Sequence, residues 1–302
     1  MALEKGIAEL VEKFIAAGRP SSRQQSIAQR REGYIASAVL AGETETRVDI
    51  QTIELEGMTL RIVSPLNAPT LLPTIIYYYG GCFVSGGFAT HDNQLRQLAY
   101  YGQCRVIAVQ YRLAPEHTFP AAHDDAQRGA EIVWQHAERL GVDKQRITLA
   151  GDSAGGHLAL VTALRLKRAG EWQPAQLILI YPMLDATAHF ESYIRNGHDY
   201  IITRDTLLSD FEMYLPGIER RHPEASPLWR DDFNGLPPVH IITAEYDPLC
   251  DEGEALYHRM TGQGVQCTCQ RYLGVIHGFF QLGGISEAAR SALRDVAWRA
   301  GR

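Results

Sequence analysis

Four short apolar runs punctuate the chain: RVIAVQY at 105–111, RITLA at 146–150, QLILIY at 176–181 and VHIITA at 239–244. A strand with one face in water alternates apolar and polar residues, and these runs do not. A strand apolar on both faces has to be covered on both, and the segments between the runs supply the cover. Their spacing predicts helices over about 92–101, 120–139, 155–169, 251–262 and 286–299. Strands alternating with helices dictate an α/β fold around a mostly parallel sheet, because parallel neighbours need a long crossover. Further strands are predicted at 47–55, 59–64, 73–79 and 267–272, the first two forming a hairpin turned at Glu56-Gly57.

Two helical stretches, 3–17 and about 22–40, precede the sheet. Residues 185–235 break the strand–helix rhythm with polar, aromatic and proline-containing sequence, and read as an inserted lid or cap. With 302 residues and 45% hydrophobic content there is ample material for one large core. The net charge is −6, and the basic runs Arg165-Leu166-Lys167-Arg168 and Arg220-Arg221 are short, so no nucleic-acid partner is expected. No stretch approaches the ~20 apolar residues of a membrane span. The opening MALEKGIAEL lacks the apolar core of a secretory signal. Five cysteines without a C-x-x-C pair argue against a disulfide framework, and a cytoplasmic location is expected.

The stretch Gly151-Asp152-Ser153-Ala154-Gly155 falls where a predicted strand meets a predicted helix. A nucleophile elbow needs that junction: a tight turn pushes the serine hydroxyl outward and glycines relieve the crowding. The plainer reading is a glycine-rich helix start with Ser153 or Asp152 as its N-cap. A serine nucleophile needs a base, and the base an orienting acid; in α/β-hydrolases with such an elbow these follow the serine in the chain order acid, then histidine. Beyond Ser153 stand His157, His189, His198, His222, His240, His258 and His277. His157 is one turn into the elbow helix and faces away; His240 is in a strand, His258 in a helix, and three others in the insertion. His277, in GVIHGFF, follows the last strand, at the sheet edge where α/β active sites form. For the acid, Asp247 lies just past a strand and before Pro248, with Glu245 as the alternative. Asp251 and Glu252 read as first-turn charges favourable to a helix dipole.

An ester or amide carbonyl attacked by serine develops an oxyanion that needs N–H donors. Ala154, after the nucleophile, supplies one, and a glycine loop after the third strand supplies the others. Here that loop reads Tyr79-Gly80-Gly81-Cys82, at the end of the run IIYYYGGCFVSGG.

Taken together, GGCFVSGG, YRLAPE (111–116), FPAAHDD (119–125), GDSAGG (151–156), DPLCDEG (247–253) and HGF (277–279) resemble a bacterial member of the hormone-sensitive lipase family of carboxylesterases, from about Leu72 to Phe280. The resemblance implies an α/β-hydrolase fold: a mostly parallel eight-stranded sheet flanked by helices, with a helical cap. It divides the chain into N-terminal helices contributing to the cap (1–45), a core (46–184 and 236–302) and a cap insertion (185–235). It implies a catalytic triad of Ser153, Asp247 and His277, an oxyanion hole from Gly80, Gly81, Cys82 and Ala154, and short-chain ester hydrolysis without metal or organic cofactor. Family members usually read His-Gly-Gly-Gly where this chain has Tyr79-Gly80-Gly81-Cys82. Backbone donors survive both changes, but Cys82 adds a side chain that is strained if φ is positive. Tyr79 either pins the loop or offers its hydroxyl to the oxyanion. Tyr79, Asp152, Tyr193, Phe211 and Tyr214 are the expected substrate-pocket residues, the cap aromatics alternatively forming cap core. The expected partner is a small ester, bound by a monomer or homodimer. A non-catalytic binding protein on the same fold, or an amidase using the same triad, are the competing readings.

Overall fold

The computed structural model describes residues 2–18, 21–170 and 172–302. Helices α1 (Lys5–Ala16) and α2 (Ile27–Ser37) lead into strands β1 (Val48–Leu55) and β2 (Met58–Pro65). The two strands are joined at Glu56 and Gly57, whose φ values are +50° and +79°. Two consecutive left-handed residues make the hairpin turn whose twist matches its strands, and glycine takes that conformation without strain. The alternating unit follows: β3 (Leu72–Tyr78), α3 (Phe88–Gly102), β4 (Arg105–Val109), α4 (Ala121–Gln135), α5 (Ala137–Leu140), β5 (Val142–Asp152), α6 (Ala154–Ala169) and β6 (Gln176–Ile180). Between β6 and the next strand lie α7 (Glu191–Arg195) and α8 (Arg204–Tyr214). The chain then completes β7 (Val239–Tyr246), α9 (Cys250–Gly262), β8 (Cys267–Ile276) and α10 (Glu287–Ala300).

The eight strands form one sheet in the order β1-β2-β4-β3-β5-β6-β7-β8. β2 is antiparallel to both β1 and β4, and all other neighbours are parallel. Every residue of β3 is buried, as its unbroken apolar run requires, whereas β1 at the sheet edge is largely exposed along its middle. β5 starts at Val142, four residues earlier than the sequence indicates, and a register shift separates its Leu72–Val142 pairing from the regular ladder. Its Asp143, Lys144 and Gln145 carry no apolar signal, which is why the sequence hides that extension.

Register brings the functional segments together. Tyr78 pairs with Gly151, so the loop after β3 emerges beside the turn after β5. Tyr246 pairs with Ile276, so Asp247 and His277 both leave the sheet one residue later. Above these ends, the segment from Ser22 to α2 docks on the inserted helix α8: Arg23, in the turn before α2, pairs with Asp205 and Glu212, both at 2.7 Å, and the Arg30 guanidinium of α2 donates to Asp210. Arg31 ties α2 to the loop after β3 by donating to Val84 O at 2.9 Å, and to the loop after β4 by donating to Ala114 O at 3.0 Å. Among the described residues no helix is long and apolar enough to cross a membrane.

Candidate active site

Ser153 stands between β5 and α6 with φ +54° and ψ −118°, a conformation a non-glycine residue keeps only when its surroundings enforce it. Packing supplies the enforcement. A Cβ on Gly155 would lie 1.8 Å from the Tyr78 carbonyl oxygen, and one on Gly151 would lie 2.5 Å from the same atom. Only glycines let the turn press against β3 this closely. The Ser153 side chain does not cap α6, so the helix-cap reading of this serine fails. Its hydroxyl faces His277 instead, with Oγ 3.0 Å from Nε2.

His277 Nδ1 lies 2.8 Å from Asp247 Oδ2. The other carboxylate oxygen accepts the Leu249 N–H at 2.7 Å, an Asx turn just before α9. Ser153, Asp247 and His277 are all buried, Asp247 completely. Glu245, the alternative acid, is occupied: its Oε2 accepts the Gly274 N–H at 2.7 Å. His157 turns away as expected, with Nδ1 on Met183 O and Nε2 on Glu224 O, both at 2.8 Å. Burial depresses its pKa to about 4. The Tyr181 ring lies against His277, centroids 4.8 Å apart; the sequence marked it only as a strand end.

The loop after β3 is a tight turn in which Val84 and Ser85 both donate to Gly81 O. Gly81, Cys82 and Phe83 have φ of +132°, +55° and +64°. Among the described residues no main-chain carbonyl accepts the N–H of Gly81 or Cys82. Gly80 is different and corrects the sequence expectation: its N–H donates to Asp152 Oδ1 at 3.0 Å and is not available to an oxyanion. Cys82 occupies a left-handed position that a glycine would take without strain. Its thiol lies against Asp210 of α8, and burial, reinforced by that carboxylate, pushes the thiol pKa well up. A cavity of about 680 Å³ opens beside Tyr79, Phe88, Tyr111 and Arg31, and none of Ser153, Asp247 and His277 lines it.

Four expected pocket residues have their polar groups committed elsewhere. Asp152 accepts from Tyr77 Oη–H at 2.8 Å as well as from Gly80. The Tyr79 ring stacks on Tyr111 at 4.4 Å, its hydroxyl accepting the Tyr111 N–H at 3.3 Å. Tyr193 donates to Glu252 Oε1 at 3.0 Å, and Tyr214 stacks on Phe83 at 4.0 Å with its hydroxyl 3.2 Å from His123 Nδ1. Phe211 is buried beneath Arg220. Glu252 stands in the first turn of α9 as expected, but completely buried, with Oε2 accepting the Leu184 N–H at 2.9 Å. Among the described residues no group of three or more His, Cys, Asp or Glu side chains is placed to hold a metal ion.

Residues 75–281 match the α/β-hydrolase fold family. The chain belongs to this family. Within it this α/β-hydrolase is a hormone-sensitive-lipase-like member. It is 34% identical over 255 residues to carboxylesterase NlhH of Mycobacterium tuberculosis, covering 82% of this chain and 80% of that protein. To ethyl acetate hydrolase of Pseudomonas putida it is 34% identical over 296 residues, covering 94% and 93%. Among solved structures, the hyperthermophilic esterase of the archaeon Pyrobaculum calidifontis superimposes with a TM-score of 0.93 at 37% identity, covering 100% of this chain and 98% of the other. An α/β-hydrolase enzyme from the metagenome of Lake Arreo, Spain, gives 0.95 at 35% identity, covering 99% and 98%.

Proposed function

We propose that this α/β-hydrolase is a serine carboxylesterase in which Ser153 is the nucleophile, His277 the base and Asp247 the orienting acid. The carrying observation is the relay from Ser153 Oγ through His277, 3.0 Å at Nε2 and 2.8 Å from Nδ1 to Asp247 Oδ2. His277 Nε2 takes the hydroxyl proton as Ser153 Oγ adds to the ester carbonyl carbon. The imidazolium forms with Nδ1–H donating to Asp247. The oxyanion accepts from the N–H groups of Gly81, Cys82 and Ala154, each such donor worth about 3–4 kcal/mol in the transition state. Collapse expels the alkoxide, which leaves as alcohol with the proton from Nε2, and acyl-Ser153 remains. His277 then deprotonates water, the hydroxide adds to the acyl carbon, and Ser153 departs with the proton as the carboxylic acid is released.

The substrates proposed are small esters with acyl chains of about two to eight carbons, a range consistent with an ordinary enclosed pocket. The similarity to ethyl acetate hydrolase supports the short end. Residues 185–235 and the N-terminal helices are proposed to act together as the cap, a reading supported by the pairing of Arg23 and Arg30 with α8. A reducing compartment is proposed as well, supported by five unpaired cysteines. A monomer or homodimer is proposed for the assembly, to be decided by light scattering.

The test is a p-nitrophenyl ester series with and without Ser153→Ala, together with fluorophosphonate labelling. Wild-type protein is expected to hydrolyse acetate and butyrate esters and to be labelled at Ser153, and the variant to do neither. Activity retained by Ser153→Ala, or higher activity on palmitate than on butyrate, overturns the corresponding part of the reading.

A further inference from the structure

The turn that carries Asp247 is held from outside, by the inserted segment. Asn196 directly follows α7 and is buried, and its Nδ2 donates to Glu245 O at 3.0 Å and to Asp247 O at 3.1 Å. One amide nitrogen thus uses both of its N–H bonds on two main-chain carbonyls two residues apart. Among uncharged side chains only a primary amide offers that pair of donors from a single atom. Fixing both carbonyls fixes the main chain of 245–247, and with it the direction in which Asp247 projects its carboxylate. Asn196 makes no hydrogen bond to the carboxylate itself. Ser192, four residues earlier, holds the following residues: its Oγ–H donates to Pro248 O at 2.6 Å and its N–H to Asp251 Oδ2 at 2.8 Å.

We infer that Asn196 is a positioning residue for the reaction, setting the 245–247 turn so that Asp247 Oδ2 meets His277 Nδ1. The inference rests on the triad reading above. An acid misdirected by a fraction of an ångström leaves the imidazole free to rotate from Ser153 and stabilises the imidazolium less. The loss therefore falls on kcat and on the acid limb of the pH profile, with substrate binding little affected.

Asn196→Ala removes both donations, and Asn196→Asp puts acceptor oxygens where donors stood. Both are expected to lower kcat on p-nitrophenyl butyrate by ~10–100-fold, the scale of a small misplacement. KM should change by less than about threefold, and the acid limb of kcat/KM should move to lower pH. Fluorophosphonate labelling of Ser153 should slow by a similar factor. Ser192→Ala, which also loosens α7 but leaves both 245 and 247 carbonyls held, should lower the melting temperature while keeping kcat within about threefold. Should Asn196→Ala fail to fold, Asn196→Ser, with a single shorter donor, carries the same readouts. Unchanged kcat, acid limb and labelling rate in the Asn196 variants overturn the inference, as does an equal kcat loss in Ser192→Ala. Wild-type protein that is not labelled at Ser153 overturns the triad reading instead.

Discussion

Gly80 donates its N–H to Asp152 Oδ1 at 3.0 Å, so the residue before Ser153 holds the start of the loop proposed to bind the oxyanion. His91 Nε2 sits 3.1 Å from the same oxygen and Tyr77 donates to it at 2.8 Å. Burial opposes ionisation of Asp152, yet His91, Tyr77 and Gly80 outweigh it and hold the carboxyl pKa below its ordinary value. A depressed carboxyl stabilises the fold above its unfolded pKa of ~3.9, and that contribution disappears on acidification through the folded value. Asp152→Ala leaves these buried donors without an acceptor and is expected to cost about 3–5 kcal/mol. The nucleophile itself is untouched. Urea unfolding checks the stability loss, and a fall in kcat on a short ester checks the connection to the loop.

Tyr79 has its hydroxyl on the Tyr111 N–H, while Tyr111 Oη–H donates back to Tyr79 O at 2.6 Å. This reciprocal pair favours the scaffold reading of Tyr79. Tyr79→Phe should therefore keep kcat within about threefold of wild type, far from the ~10²-fold drop of a lost oxyanion donor. It should lower stability by about 1 kcal/mol for the missing hydrogen bond. Steady-state kinetics on p-nitrophenyl butyrate separates the alternatives.

Much of this arrangement is legible in the sequence because it is encoded locally. The apolar runs give the parallel strands, Glu56-Gly57 gives the hairpin, and glycines around Ser153 report a turn that has no room for Cβ atoms. Asp247 and His277 could be found because each follows a strand end in the required chain order. Side-chain direction in the insertion was not legible. Tyr193 and Tyr214 are aromatic residues in an aromatic segment, and nothing local says that one turns to Glu252 and the other to Phe83 and His123. Gly80 was misread for a related reason, since its acceptor is 72 residues away. Asn196 reaches across 49 and 51 residues to its two carbonyls, and no helical or strand periodicity carries that information.

Glu252 shows how such a contact alters chemistry. Its carboxyl is completely buried, and burial first, then Asp185, pushes its pKa well above the ordinary range. The folded state therefore holds the proton more tightly than the unfolded chain. Stability from this group is present below the unfolded pKa of ~4.3 and is lost as pH rises toward the folded value. Glu252→Gln keeps an oxygen for the Leu184 N–H and cannot ionise, so it should cost less than about 1 kcal/mol at neutral pH and flatten the pH dependence. Glu252→Ala should cost about 2–4 kcal/mol through the cavity and the unpaired Leu184 and Tyr193 donors. Thermal unfolding of both variants from pH 5 to 9 measures the two slopes.

Arg30 and Asp210 join the N-terminal helix to the inserted one, and Asp210 also meets the Cys82 thiol of the oxyanion loop. Burial raises the Asp210 pKa to about 6, with Arg30 pulling against it. Because the folded value lies above the unfolded ~3.9, this carboxyl's contribution falls as pH rises from about 4 to about 6. Asp210→Asn should remove that segment of the stability–pH curve. Arg30→Ala leaves the carboxylate buried without its partner and is expected to cost about 3–5 kcal/mol. The apolar pair Arg30→Met with Asp210→Leu should recover most of that loss, since burying two charges is itself costly. Both single variants should also lower kcat, because Asp210 touches the loop from which Cys82 is proposed to donate to the oxyanion. A double variant as active as wild type would show that packing of α2 on α8 holds the loop, and that the charges do not.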